Sequence, residues 1–133
     1  HDLKITLETE GSHFIKTPYP LALISLSPKF SNTIPKLGQI TPKDRLVTQA
    51  MINQHNKYRI NHQAISQMLA YHCDYQIKPV FDGNTQTLNE IIQFCQQFNI
   101  PYDKVFLMPQ GQTRDALVKS YSKTISVSPE FFL

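Results

Sequence analysis

Residues 21–26 read Leu-Ala-Leu-Ile-Ser-Leu, a nearly continuous apolar run that ends at Ser27-Pro28-Lys29. Short apolar runs of this kind are typical of strands buried on both faces, as in a parallel sheet. Residues 3–8 alternate apolar and polar side chains, which predicts a half-buried strand. The two segments together predict a mainly parallel sheet in a domain of the α/β class.

Strands and helices are predicted to alternate along the rest of the chain. Further strands are predicted at residues 75–81, 104–108 and 124–128, with Pro79 marking a bulge or an edge because it cannot donate to a strand ladder. Three helices are predicted: from an Asn61 cap to about His72, from a Thr87–Glu90 capping box to near Asn99, and from a Thr113 cap to about Ser122. This alternation indicates crossover connections and therefore parallel strands.

Residues 30–56 show no clear hydrophobic period and are rich in Pro, Asn, Thr and Gln. This composition predicts a long loop, with one helical turn around residues 43–53. Loops of this length inside a compact domain are usually functional or mobile.

The composition is that of one globular domain without a nucleic-acid or membrane partner. Of the 133 residues 41% are hydrophobic, which is enough for a core, and the net charge of +3 comes from scattered Lys and Arg. No run approaches the roughly 20 apolar residues of a membrane span. Cys73 and Cys95 form no CxxC pair and are too few for a disulfide framework, which predicts reduced thiols and a cytoplasmic protein.

Polar side chains follow several of the predicted strands. Ligands of parallel α/β sheets gather at the carboxyl ends of the strands, where Lys29 and Lys78 could bind a carboxylate or phosphate and Glu8 or Glu10 could accept hydrogen bonds. The alternative is that these residues are solvated surface charges. The five histidines show no HxxxH or HExxH spacing, so no metal site is predicted.

Four segments at these strand ends match known motifs in order and spacing, across roughly residues 3–122. They are Leu7-Glu8-Thr9-Glu10-Gly11; Ser25-Leu26-Ser27-Pro28-Lys29 with Ser31-Asn32 and Pro35; Tyr75-Gln76-Ile77-Lys78 with Val80 and Asp82; and Val105-Phe106-Leu107-Met108-Pro109-Gln110-Gly111. They resemble the LET(D/N/Q)G, SISPK…SN…P, YQLK…V…D and V-x-LMPEG patterns of the 7-carboxy-7-deazaguanine synthase family, which are radical S-adenosylmethionine (SAM) enzymes.

The resemblance implies a fold and an activity. Residues 1–133 would form a single partial α/β domain, the C-terminal half of a partial, open radical-SAM barrel. Members of the family cleave SAM reductively at a [4Fe–4S] cluster, with Mg²⁺ assisting. They convert 6-carboxytetrahydropterin to 7-carboxy-7-deazaguanine on the route to queuosine and other 7-deazapurines, and they are commonly homodimers.

The resemblance also implies roles for seven residues. Ser27, Lys29 and Gln110 would bind SAM. Glu8, Thr9, Gln76 and Lys78 would line the site of the pterin substrate. It assigns no catalytic residue and no metal ligand to this chain.

The sequence departs from the family pattern in two places. It has no CxxxCxxC loop and no Gly-Gly-Glu-Pro strand, and Cys73 and Cys95 are too far apart to replace that loop. The family's terminal SPRLH segment is replaced by Ser128-Pro129-Glu130-Phe131-Phe132-Leu133. We therefore expect a chain without the cluster-binding half, inactive alone, that forms a homodimer or associates with that missing half. A non-catalytic nucleotide- or pterin-binding module and a degenerate fragment are the alternatives.

Overall fold

The computed structural model of the chain describes residues 3–127. The strands are β1 (Thr6–Thr9), β2 (Leu23–Leu26), β3 (Tyr75–Ile77), β4 (Val80–Phe81) and β5 (Met108–Pro109). The helices are α1 (Gln49–Tyr58), α2 (His62–Tyr71), α3 (Thr85–Gln97) and α4 (Arg114–Val127), with 3₁₀ turns at Ser31–Thr33 and Tyr102–Lys104. The terminal segment that departs from the family pattern lies outside the described residues.

The described strands form a three-stranded and a two-stranded sheet, and all their strand pairs are parallel. β1, β2 and β3 pair in that order, and β4 pairs with β5. A parallel bridge between Ile77 and Val105 joins the two groups. The predicted α/β class and the parallel sheet are confirmed. Residues 3–127 form no closed barrel, and membership in an open half-barrel stays a prediction.

The two faces of the sheet differ in chemistry. Ile24, Leu26 and Ile77 are fully buried on one face and belong to the core cluster that also contains Ile65 of α2 and Ile91 of α3. Side chains of a strand alternate between faces, so the intervening positions lie on the other face. That second face carries the polar residues described below.

The position of β1 explains why one burial prediction is wrong. Thr6, Leu7 and Glu8 are exposed, although alternation predicted a half-buried strand. β1 is the edge strand of the sheet and pairs only with β2 within the described residues. The buried character predicted for residues 21–26 is confirmed in the second half of the run, where Ile24, Ser25 and Leu26 are all buried, while residues 21–23 are half-buried.

Proline divides the third predicted strand. The segment 75–81 forms two short strands, β3 and β4, with the buried Pro79 between them. Pro79 has no N–H to donate, but its carbonyl still accepts a hydrogen bond from Met108 N at 2.9 Å. The predicted interruption at this residue is confirmed.

The predicted loop at 30–56 is shorter than expected, because the one helical turn predicted around residues 43–53 is in fact a ten-residue helix, α1, at residues 49–58. Thr48 caps this helix, with its hydroxyl accepting from Met51 N at 3.3 Å. No residue of α1 is buried, so the sequence carries no apolar stripe that would have revealed the helix. The preceding segment turns back on itself through an antiparallel bridge between Ile40 and Leu46.

Two further predictions about helix ends are wrong. Asn84, not Thr87, caps α3, since its side chain accepts from Gln86 N at 2.9 Å while Thr87 is buried inside the first turn of the helix. The strand predicted at 124–128 is absent over residues 124–127, which continue α4. Residue 128 lies beyond the described chain. The predicted Asn61 and Thr113 caps are confirmed: the Asn61 side chain accepts a hydrogen bond from Ala64 N, and the Thr113 hydroxyl accepts one from Ala116 N.

The strand predicted at 104–108 is shorter and shifted. Residues up to 104 form a 3₁₀ turn, Val105 makes a single bridge, and the ladder resumes only at Met108. Within residues 3–127 no helix has the length and apolarity needed to cross a membrane.

Candidate functional site

The sheet brings the polar strand ends to one edge. Because the strands are parallel, the carboxyl ends of β1, β2 and β3 lie side by side. Ser27 N donates to Thr9 O at 2.8 Å, and Lys78 N donates to Leu26 O at 2.7 Å. These bonds extend the pairing past the strands and fix the segments that carry the predicted site residues.

Glu8, Ser25 and Gln76 lie in register on the polar face. The Gln76 side chain donates to the hydroxyl of Ser25 at 3.0 Å, and Ser25 is 1% exposed. Lys78 Nζ lies 3.8 Å from Glu8 Oε1. Since β2 separates β1 from β3, this ion pair crosses the middle strand.

The pair between Lys78 and Glu8 is weakly held. The side chain of Glu8 is 79% exposed, and exposed ion pairs contribute little in water. Lys78 is more enclosed, with 28% of its side chain exposed. A ligand anion on this face can therefore replace Glu8 as the partner of Lys78 at little cost.

Thr9 lies on the opposite face of β1 from Glu8, because successive side chains of a strand alternate between its two faces. It pairs with Leu26 on the core face, and its hydroxyl accepts from Gly11 N at 3.1 Å. Thr9 thus supports the turn after β1, whereas Glu8, Gln76 and Lys78 share the polar face. The structure brings together three of the four residues predicted to line the substrate site.

Lys29 lies in a cavity of about 450 Å³, here called the α1 cavity. Its lining residues are Glu10, Ser12, His13, Lys29, Pro35, Met51, Gln54, His55, Tyr58 and Arg59. Lys29 is half-buried and forms no ion pair with a carboxylate of residues 3–127. A lysine in this setting can bind a ligand carboxylate or phosphate.

Two charged side chains, Arg59 and Glu90, hold the segment that carries Lys29 in place through hydrogen bonds. Arg59, at the end of α1, donates from Nη1 to Lys29 O at 3.0 Å and lies 3.7 Å from Glu90 Oε2. Glu90 of α3 accepts from Ser31 N at 3.0 Å and from the Ser31 hydroxyl. Phe30 anchors the same segment in the core, edge-to-face with Phe94.

Gln110 lies in a different cavity from Lys29. This second cavity, of about 490 Å³, is lined by Asn32, Thr33, Ile34, Pro35, Lys36, Gln39, Val80 and Gln110. Ser27 lines neither cavity. Ser27 and Lys29 follow β2, and Gln110 follows β5. Neither of these two cavities contains all three residues predicted to bind SAM.

The second cavity contains a buried acceptor without a partner. Asn32 Nδ2 donates to Val80 O at 2.9 Å, which fixes the amide, and Asn32 Oδ1 is buried without a hydrogen bond. Burying an acceptor in this way is costly unless water or a ligand donates to it. Asn32 belongs to the second sequence motif, which implies no role for it.

The residues present do not fit an iron–sulfur cluster. Within residues 3–127 no group of three or more His, Cys, Asp or Glu side chains could hold a metal ion. Cys95 is 1% exposed in the core, where burial raises the pKa of its thiol to about 11. Cys73 is exposed just beyond the C-terminal end of α2. A cluster needs three clustered thiolates, which these two cysteines cannot supply.

The two thiols should differ sharply in reactivity. In the native protein at pH 8 we expect Ellman's reagent to label one thiol per chain rapidly, and both thiols in 6 M guanidinium, because only Cys73 is accessible. The Cys73→Ser variant should then show almost no fast reaction, and Cys95→Ser should keep it. Fast labelling of Cys95 in the native chain would contradict the buried position of this residue.

Comparison of the chain with protein-family models, curated proteins and solved structures found no match. The resemblance to the synthase family therefore stays a prediction that depends on the four motifs. The side chains that sequence analysis missed are those of α1 and its C-terminal end, chiefly His55, Tyr58 and Arg59. The sequence indicated this helix only as one helical turn around residues 43–53, a range that includes its N-cap, Thr48.

Proposed function

We propose that this chain forms the SAM- and substrate-binding half of a radical SAM enzyme resembling 7-carboxy-7-deazaguanine synthase. The observation that carries the proposal is the convergence of the motif segments on the carboxyl edge of a parallel sheet. Motifs that are separated along the sequence thereby contribute to one surface, as a shared ligand site requires. The second face of the sheet is polar, which also suits a ligand site.

The side chains near Lys29 fit SAM. Lys29 would hold the carboxylate of SAM and Glu10, in the same cavity, its cationic groups. Ser27 lies two residues from Lys29 at the end of β2, and Gln110 would approach from the end of β5. Bound SAM supplies the radical chemistry in the family, and the residues of this chain bind it and orient it.

The polar face would take the pterin substrate. Gln76 and Lys78 offer hydrogen-bond donors, and Glu8 offers a carboxylate that can accept from ring N–H groups. Thr9 would act indirectly, by holding the turn after β1. Because no set of three clustered thiolates is present in residues 3–127, we propose that the cluster, and any Mg²⁺ site, belongs to an associated half of the enzyme; a second copy of this chain cannot supply it, since it has the same two cysteines. The chain alone is expected to be inactive.

The proposal is tested by SAM binding rather than by turnover. In ¹⁵N-HSQC titrations with SAM, we expect the largest shifts at the backbone amides of residues 8–11, 27–31 and 76–78. Lys29→Ala should raise the Kd by roughly tenfold or more, the size expected for loss of a charge-assisted hydrogen bond. Lys43→Ala is the matched control, because Lys43 is exposed and lies outside the site, and its Kd should stay within about twofold.

Two results would contradict the proposal. One is a titration in which SAM shifts no amide at the carboxyl edge. The other is an equal loss of affinity in the Lys29 and Lys43 variants. Binding of a pterin or a nucleotide in place of SAM would favour the second candidate, a non-catalytic binding module, which the lack of cluster ligands among the described residues also favours.

A further inference from the structure

The α1 cavity contains a second cationic side chain, Arg59, in addition to the Lys29 of the proposed function. Lys29 and Arg59 both line it, together with His13 and His55. Glu10 is the only carboxylate among its lining residues. The cavity volume of about 450 Å³ falls within the ordinary range for sites of small organic ligands, roughly 300–1,000 Å³.

Arg59 is fixed in place, yet one of its donor groups is unused. Nη1 donates to Lys29 O at 3.0 Å, and Nε donates to Asn56 Oδ1 at 3.2 Å. Within residues 3–127, Nη2 has no hydrogen-bond partner. Glu90 lies 3.7 Å from Nη1 and also accepts from Ser31, so its charge is shared. An oriented guanidinium with a free donor is a preorganised group for an anion.

His13 lies on another wall of the cavity, in the segment that follows β1. Its Nδ1 contacts the Ser12 hydroxyl at 3.0 Å, and its Nε2 has no partner in the described chain. His55 also has one ring nitrogen in contact with a hydroxyl, Nε2 at 3.3 Å from Thr33. We take His13 as the donor to a ligand because it is the more exposed of the two and its unpartnered nitrogen is Nε2, at the outer end of the ring.

The remaining wall is apolar. Pro35, Met51 and Tyr58 line the cavity, and Tyr58 is largely exposed to it and to solvent. An aromatic ring and a thioether favour contact with a flat or hydrocarbon body. The cavity thus combines donors for an anion with a surface for an organic group.

We infer that the α1 cavity binds an organic anion, a carboxylate or phosphate carried on a ring, through Lys29, Arg59 and His13. The inference shares Lys29 with the proposed function but does not require the ligand to be SAM. It adds Arg59 and His13 as binding residues and makes α1, which the sequence indicated only as one helical turn, one wall of the site.

Phenyl phosphate, benzoate and inorganic phosphate are suitable probes. In ¹⁵N-HSQC titrations of the full chain we expect phenyl phosphate or benzoate to bind several-fold more tightly than inorganic phosphate, since only the first two contact the apolar wall. The tighter of the two ring-bearing probes identifies the anion class. Shifts should be concentrated at residues 12–13, 29–31 and 54–59.

Lys29→Gln should raise the Kd of the tighter-binding probe by roughly tenfold, because it removes one donor to the anion. His13→Gln removes another donor and should raise this Kd by a few fold. Arg59→Lys keeps the positive charge but removes the paired N–H donors of the guanidinium group, so it should also raise the Kd of the probe. Lys43→Gln is the matched control: Lys43 is exposed and lies outside the α1 cavity, and its substitution should leave the Kd within about twofold.

The results separate this inference from the proposed function. Probe binding that His13→Gln and Arg59→Lys leave unchanged, or shifts outside the α1 cavity, would overturn the inference even if SAM still binds in a Lys29-dependent manner. Probe binding that depends on Lys29, His13 and Arg59, in a chain that does not bind SAM, would support the inference and reject the proposed function.

Discussion

Gly11→Ala is expected to lower the free energy of unfolding by about 2–5 kcal/mol, the largest single-residue effect that we predict. Gly11 adopts φ = 85°, a conformation that residues with a side chain rarely adopt. A Cβ at this position would lie 2.7 Å from Leu26 Cδ1 and 2.9 Å from Ile65 Cγ1. Both neighbours are fully buried, so neither can move away without disturbing the core.

The magnitude has two parts. The left-handed conformation costs about 1–2 kcal/mol for alanine, and overpacking a filled core costs typically about 1–3 kcal/mol more. A domain of this size has about 5–15 kcal/mol of stability in total, so the variant loses a substantial share. The measurement is urea unfolding followed by circular dichroism.

Gly38→Ala is the matched control for this prediction. Gly38 has nearly the same φ, 78°, but a Cβ added there would have no heavy atom within 4 Å outside its chain neighbours. Its substitution should therefore cost only the conformational part, about 1–2 kcal/mol. Equal losses of unfolding free energy in the two variants would show that the close approach of Leu26 and Ile65 to Gly11 does not contribute to the effect of Gly11→Ala.

The core of the sheet was predictable from the sequence because it depends on local patterns. The apolar run at 21–26 and the Asn61 cap specify β2 and the start of α2 through contacts within a few residues. The carboxyl-edge position of Lys29 and Lys78 followed, since parallel strands place their ends together. These are the parts of the site for which the sequence pattern and the fold agree.

The α1 cavity was not predictable because its parts are brought together by contacts between distant segments. α1 buries none of its residues, so it has no apolar stripe, and the hydrogen bond of Arg59 to Lys29 O ties its C-terminal end to the sheet edge. Glu90 was predicted to close a capping box, but it binds Ser31, 59 residues away. The predicted capping box with Thr87 does not form, because the Glu90 carboxylate binds Ser31, which the tertiary structure brings next to it.

His72 was not assigned a role from the sequence, and its environment predicts a pH-dependent stability. The ring is 8% exposed, and its Nδ1 accepts a hydrogen bond from Leu21 N at 3.0 Å. The rings of Tyr71 and Phe14 pack against it edge-to-face. Burial lowers the pKa of His72, because the charged imidazolium is poorly solvated there.

The sign of the effect follows from proton uptake. The pKa of His72 is lower in the folded chain than in the unfolded chain, where it is about 6.5. Below that pH the unfolded state binds a proton that the folded state does not, so stability falls as the pH decreases. The stabilising contribution is complete above about pH 6.5 and is lost as the pH falls through the lower, folded-state pKa.

His72→Asn and His72→Leu should separate the two properties of the ring. The Asn carboxamide oxygen can still accept from Leu21 N but does not titrate, so this variant should lose the dependence on His72 between pH 8 and pH 5.5. Leu leaves the buried N–H of Leu21 without an acceptor and should cost about 1–3 kcal/mol at pH 8. Urea unfolding at the two pH values measures both effects. If the Asn variant lost stability towards pH 5.5 as steeply as the native chain, the titrating group would be another residue, and His72 would serve only as a packed ring.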